Sequence, residues 1–302
     1  MDLSTVLPLI GIDYDLLGQN ERLSLGKGFF ITGKTTASKL AIFDDDYLRS
    51  ELSEKALSQI ETTNYYLGVS EQLSSDLVPN DVVEKCNERL DRFLLSLNLN
   101  GKLWSFRPDI RMSWVEQDEP KNREFFRIRH ASPISTFENK PALEDFRAAA
   151  NLTRRIDEIY ESGDKNYPAL KTAFDAVRLS AYAFNTAMRF LQLATALETL
   201  CSTATTEVAH RVATTCSILV GNNAQERKEL YREAKRFYGV RSRIIHGSGE
   251  RATKNVLQEM ERLTFTLLRR VLDDNILPHY KTRKLHDEFL LNVILERTTQ
   301  GG

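Results

Sequence analysis

The segment Phe190 to Cys201 (FLQLATALETLC) constrains the fold more than any other part of the chain. Its apolar residues run nearly all round a helix instead of along one stripe, and a helix of that kind belongs in the centre of a core. The residues after it read as the helices that enclose it. Glu207 to Val220 is a shorter helix ended by Gly221-Asn222-Asn223, and Gln225 to His246 is a long amphipathic helix whose stop is Gly247. Thr253 to Leu272 repeats apolar residues at Val256, Met260, Leu263, Leu267 and Val271, the spacing of a packed helix face. Short connections between such helices predict an antiparallel bundle.

Upstream the pattern changes. Glu161 to Pro168 (ESGDKNYP) is polar and turn-rich and marks a boundary. The fold class expected is therefore mainly α: an N-terminal mixed α+β domain over residues 1–165, then a helical bundle over 166–302. In the first part, Gly28 to Phe43 reads as two short strands around a Gly-Lys turn. Asp81 to Leu97 reads as a helix with Asp81 as N-cap and Val82, Cys86, Leu90 and Phe93 on one face. Leu103 to Glu116 alternates and is rich in aromatics, as strands are, although Pro108 interrupts it. A further strand is expected at Phe125 to Ile128 and a helix from Pro141 to about Tyr160.

A formal net charge of −1 over 302 residues excludes a protein that binds nucleic acid over its whole surface, so any polyanion site must be a local patch. No apolar run reaches the length of a membrane-spanning helix, and the N-terminus lacks the basic region of a signal peptide. Cys86, Cys201 and Cys216 are too few and too widely spaced for a disulfide framework or a metal knuckle. Cys201 and Cys216 fall in apolar helices, as buried free thiols do. The expectation is a cytoplasmic protein with no structural metal, no cofactor and no membrane partner.

Gly28 to Thr35 (GFFITGKT) matches the phosphate-binding G-x-x-x-x-G-K-[ST] pattern letter for letter. That chemistry needs a loop of exposed backbone N–H groups leading into a helix. Phe29, Phe30, Ile31 and Thr32 prefer strand to loop, and the residues after Thr35 rise into a second apolar run. A hairpin is the better reading, and Lys34 is not taken as a nucleotide ligand.

The strongest local asymmetry of charge lies further on. From Arg227 to Lys254 there are nine Lys or Arg residues against Glu229, Glu233 and Glu250. A solvated helix face with i,i+4 ion pairs is the ordinary reading of such a run. Arg241 and His246 sharpen it. Arg offers a planar, permanently charged fork for phosphate oxygens, and His is the side chain that exchanges protons near neutrality. His246 falls at a helix C-terminus, where the macrodipole attracts cations, and a capping histidine is the competing explanation. Five residues set the two groups about 140° apart around an ideal helix. A symmetric dimer that pairs this helix with its copy would bring two of each together.

The run Tyr238-Gly239-Val240-Arg241-Ser242-Arg243-Ile244-Ile245-His246-Gly247 resembles the signature of the HEPN superfamily, and specifically its Apea-like branch. The upstream Leu193 to Leu200 (LATALETL), with Glu198 in an apolar run, and Arg211 in the next helix resemble the same branch. The resemblance covers roughly residues 185–275. Many members carry Asn, Asp or His directly after the Arg; this chain has Ser242, which occurs in the Apea-like branch. The resemblance implies a HEPN-like bundle that acts as a dimeric, metal-independent endoribonuclease with Arg241 and His246 as catalytic residues. It also implies toxin or phage-defence settings, with the N-terminal domain regulating the nuclease or recruiting substrate or a protein partner. Glu198, a carboxylate in an apolar helix, needs a partner; Arg241 and Arg211 are the candidates, and an ordinary buried ion pair is the competing reading. Ser242 and Arg211 are supporting residues, and Lys235, Arg236 and Arg243 are the candidate RNA contacts.

Overall fold

The computed structural model describes residues 2–9, 15–17, 22–33, 63–72, 80–101, 111–116, 141–183, 185–204, 206–247 and 252–298. The chain divides into two compact units, Met1–Asp157 and Glu158–Gly302. The division falls inside a helix, and the polar turn that the sequence marks as a boundary follows that helix.

Among its described residues the first unit holds five strands: β1 (Asp2–Pro8), β2 (Arg22–Gly26), β3 (Phe29–Gly33), β4 (Tyr65–Gln72) and β5 (Met112–Glu116). They form one antiparallel sheet in the order β2-β3-β4-β1-β5. Helix α1 (Asn80–Leu99) carries Val83, Cys86, Leu90, Phe93 and Leu97 at helical spacing. These join Leu3, Leu7, Phe29, Ile31, Leu67 and Val69 of the sheet in one core. Phe29 and Phe93 meet with ring centroids 5.0 Å apart. Phe146, Ala149 and Ala150 of α2 (Leu143–Glu161) complete it. Arg111 is buried, and its guanidinium donates to the Asn87 carbonyl at 2.6 Å and to the Asp91 carboxylate.

Two details differ from expectation. The α1 face includes the expected Val82, Cys86, Leu90 and Phe93, with Val82 partly buried and Val83 added at the first turn, and the helix begins at Asn80, a residue before the expected cap. A hairpin joins β2 to β3 through Lys27-Gly28, both at positive φ, while the turn expected at Gly33-Lys34 runs into residues outside those described. Phe29–Gly33 is an inner strand paired on both sides, so its backbone groups are committed to the sheet and form no phosphate cradle. Lys34, the apolar run Leu40 to Phe43, Pro108 and the strand expected at Phe125 to Ile128 lie outside the described residues.

Opposite Phe30 on β4 stands Gly68. A Cβ at Gly68 would lie 2.2 Å from the Phe30 ring, which is itself covered by the Arg22 guanidinium at 3.7 Å. Gly68→Ala should destabilise the chain by about 1–3 kcal/mol. The loss should shrink in Gly68→Ala/Phe30→Leu, and equal losses in thermal melts of the two variants would contradict this account.

The second unit contains only helices among its described residues. They are α3 (Pro168–Tyr182), α4 (Thr186–Cys201), α5 (Val208–Val220), α6 (Ala224–Ile245), α7 (Lys254–Val271), a 3-10 turn (Leu277–Tyr280) and α8 (Arg283–Thr298). Side chains cap three of them: Asn185, Asn223 and Thr253 accept hydrogen bonds from the backbone N–H groups of Met188, Glu226 and Val256. Helix α4 packs against α3, α5, α6 and α7 and buries Phe190, Leu193, Ala194, Ala196, Leu197, Leu200 and Cys201, the central position that its composition predicts. Within the helical unit, no described helix is long and apolar enough to cross a membrane, and this holds for the described residues as a whole.

The last turn of α4 leaves carbonyls without helical partners. The Leu200 carbonyl accepts from the Tyr280 hydroxyl at 2.9 Å and from His286 Nε2 at 3.0 Å, which fastens the 3-10 turn and α8 to α4. Burial pushes the His286 imidazole below its ordinary value, against weaker upward pulls from the Leu200 carbonyl and Asp287. The folded chain therefore binds fewer protons here than the unfolded chain. This contribution to stability is present above about pH 6.5 and is lost as pH falls below it. Thermal melts from pH 7.5 to 5.0 should show a steeper fall in Tm for the native sequence than for His286→Gln; parallel curves would sink the assignment.

Candidate functional site

Helix α6 brings the sequence motif into place. Asn223 starts it and Glu226 reaches back to the Asn222 N–H at 2.9 Å, so the first turn is satisfied. It ends with His246 at the C-cap, whose N–H donates to the Ser242 carbonyl at 3.0 Å, and Gly247 at φ +67°. Only glycine enters that left-handed conformation without cost, so Gly247 sets where the helix stops. His246 and Ser242 are exposed.

Arg241 lies on another side of the helix, half-buried against α4. Its Nε is 2.6 Å from Glu198 Oε1, an ion contact off the hydrogen-bond direction, and its Nη2 donates to Oε2 at 3.4 Å. The guanidinium carbon stands 5.7 Å from the centre of the Tyr238 ring. Burial pushes the Tyr238 hydroxyl far above its ordinary value, and the Glu198 carboxylate adds to the effect. Of the two partners that the sequence offers Glu198, the structure gives it Arg241. Arg211, on α5, keeps a buried Nε with no hydrogen-bond partner among the described residues. Glu198 also faces a cavity of about 530 Å³ that Thr199, Ser202, Tyr280, Arg283 and His286 help to line.

The candidate RNA contacts separate. Arg236 is tied to Glu259 of α7 at 2.5 Å and lies 4.0 Å from Glu233, so it links helices. Arg243 is exposed and lies back along the helix beside Gly239. Lys235 is exposed with its ammonium 5.6 Å from the centre of the Tyr231 ring. Tyr231 in turn hydrogen-bonds His210 Nδ1 at 3.0 Å, their rings edge to face. The sequence alone gives no functional role to His210, Tyr231 or Tyr238. The signal was present: Tyr231 and Lys235 are four apart on one helix, the spacing at which side chains meet.

Cys201 and Cys216 are buried free thiols, as their apolar positions predict. Burial raises the Cys201 thiol, and a hydrogen bond with Cys216 raises it further. No family model matches this chain, and neither a curated protein nor a solved structure matches it.

The arrangement can hold one guanidinium rigidly between two helices and present one imidazole to solvent at the end of the same helix. With both partners partly exposed, the Glu198–Arg241 pair should contribute modestly, roughly 1 kcal/mol of coupling. A double-mutant cycle with Glu198→Gln and Arg241→Gln, read by urea unfolding, measures it. Additive losses would mean that the contact does not hold the two helices together.

Proposed function

We propose that this chain is a HEPN-type ribonuclease of the Apea-like kind: a metal-independent endoribonuclease whose catalytic residues are Arg241 and His246. The observation that carries the reading is the two-point pair between Glu198 and Arg241. It gives the carboxylate of the apolar helix a partner in the motif and holds the guanidinium in one orientation before substrate arrives. His246 follows on the exposed helix end.

In the proposed reaction the ribose 2′-oxygen attacks the adjacent phosphorus and the bond to the 5′-oxygen breaks. The products are a 2′,3′-cyclic phosphate and a 5′-hydroxyl. His246 takes the 2′-OH proton or protonates the departing 5′-oxygen, while Arg241 stabilises the charge that grows on the phosphorus oxygens. Because the two groups lie about 140° apart on one helix, the complete site forms in a homodimer. Glu198 is a positioning residue for Arg241. The protein acts in the cytoplasm in a toxin or defence role, and the N-terminal unit regulates the nuclease or recruits substrate or a partner protein.

A second reading has its own observation. Arg241 is already neutralised by Glu198, and the exposed His246 lies about 140° round the same helix from it. That arrangement suits a non-catalytic module in which the bundle docks RNA or a protein.

Incubation with RNA in EDTA separates the two. The native protein should leave cyclic-phosphate ends, and Arg241→Ala and His246→Ala should each lose at least about 100-fold in rate. DNA, which lacks the 2′-OH, should survive. Undiminished cleavage by both variants would remove the site assignment, and salt-sensitive binding without new ends would favour the docking module.

A further inference from the structure

The cations of α6 are not equivalent. Arg227 donates to the Gly221 carbonyl at 3.0 Å, Arg236 pairs with Glu259, and Arg241 pairs with Glu198. The acids of the helix are also committed: Glu226 to Asn222 and Asn223, Glu229 to Gln225, and Glu233 to Arg236. Among the described residues no carboxylate pairs with Lys228, Arg232 or Lys235, and all three are exposed.

These three share one side of the helix. At 100° per residue, Lys228, Tyr231, Arg232, Lys235, Gly239 and Ser242 fall in a sector of about 100°, while Glu226, Glu229 and Glu233 all lie beyond it. The sector runs about 21 Å from Lys228 to Ser242 and points at His246, which continues it past the end of the helix. Tyr231 sits in the stripe with its hydroxyl bonded to His210 of α5 and the Lys235 ammonium near its ring, so an aromatic pair lies among cations that no described carboxylate pairs.

We propose that this stripe is a track for single-stranded RNA, which leads the strand along α6 to His246. Lys228, Arg232 and Lys235 contact successive phosphates, and the Tyr231–His210 pair supplies a ring surface on which a base stacks. Cations and an aromatic surface in one line fit a flexible strand that carries both phosphates and unpaired bases. An acidic protein segment would use the cations and leave the rings without a role. Towards its His246 end the stripe has Gly239, against which the Arg243 guanidinium lies. The ligand class rests on the ribonuclease reading; the location does not.

The test is fluorescence anisotropy with a labelled 20-nucleotide oligouridylate, in EDTA, on the full chain carrying His246→Ala. The triple variant Lys228→Gln/Arg232→Gln/Lys235→Gln should bind at least tenfold more weakly. Its plot of log affinity against log salt should be shallower by about 2, from three lost phosphate contacts on a single strand. Tyr231→Leu should weaken binding about tenfold with little change in that slope. The control Lys165→Gln/Lys281→Gln/Lys284→Gln removes the same charge from exposed positions off α6 and outside the cavity lining, and should bind within twofold of its parent. Far-UV spectra and melts confirm folding, since the exchanged cations are all exposed. The track is overturned if the stripe triple binds within twofold, if the control loses as much, or if the parent binds no RNA. Cleavage separates the two ideas. A native protein that never cuts RNA, alongside a stripe triple that loses affinity, removes the nuclease and keeps the track. A native protein that cuts, and a stripe triple that binds and cuts equally well, does the reverse.

Discussion

The enclosure of α4 is the constraint on which the helical unit depends. Four helices lie against it, and seven of its side chains are buried. Such a helix has little room for charge, because a carboxylate loses its hydration there unless something replaces it. Glu198 meets that demand at the edge of the core, where the α6 guanidinium supplies two contacts. The orientation of Arg241 is thus a consequence of how the core solves a local solvation problem. Two residues later the same helix presents the Leu200 carbonyl to Tyr280 and His286. The C-terminal turn of α4 is where α6, the 3-10 turn and α8 all find polar partners.

Charge on α6 illustrates how little a net count conveys. The helix is rich in cations, yet three of them serve as a carbonyl ligand or as ties to neighbouring helices. What matters for a polyanion is the remainder, and that remainder is one-sided because the acids occupy the other faces. A chain with net charge −1 can present such a surface because a field of this kind is local and screened within about 10 Å.

Much of this architecture was legible in the sequence. The all-round apolar run Phe190 to Cys201 identified the central helix, and Gly221 and Gly247 marked where two of its neighbours end. The strand character of Phe29 to Thr32 was enough to set aside a letter-perfect phosphate-loop match. The hairpin that leads into this strand, turning at Lys27-Gly28, was not legible, because Lys27 adopts a left-handed conformation that a lysine does not advertise. The site was legible as residues but not as a constellation. Periodicity gives angles around one helix; it does not say which neighbour a side chain will meet. Hence Arg236 reads as an exposed cation in sequence and turns out to hold Glu259, and Arg211 and Arg241 stay equal claimants on Glu198 until the packing of α4 decides.

In the N-terminal unit, Gly68 carries a meaning beyond its own strand. Its missing side chain is the socket that receives the Phe30 ring across the β3–β4 ladder. A pairing slipped by one residue would set that ring against Leu67 or Val69 and would turn the core-facing Phe29 and Ile31 outward, since a one-residue slip exchanges the faces of a strand. The glycine therefore acts as a key for alignment: it makes one of the available strand registers sterically comfortable and the adjacent ones crowded, and so helps the sheet find its own order among near-equivalent arrangements.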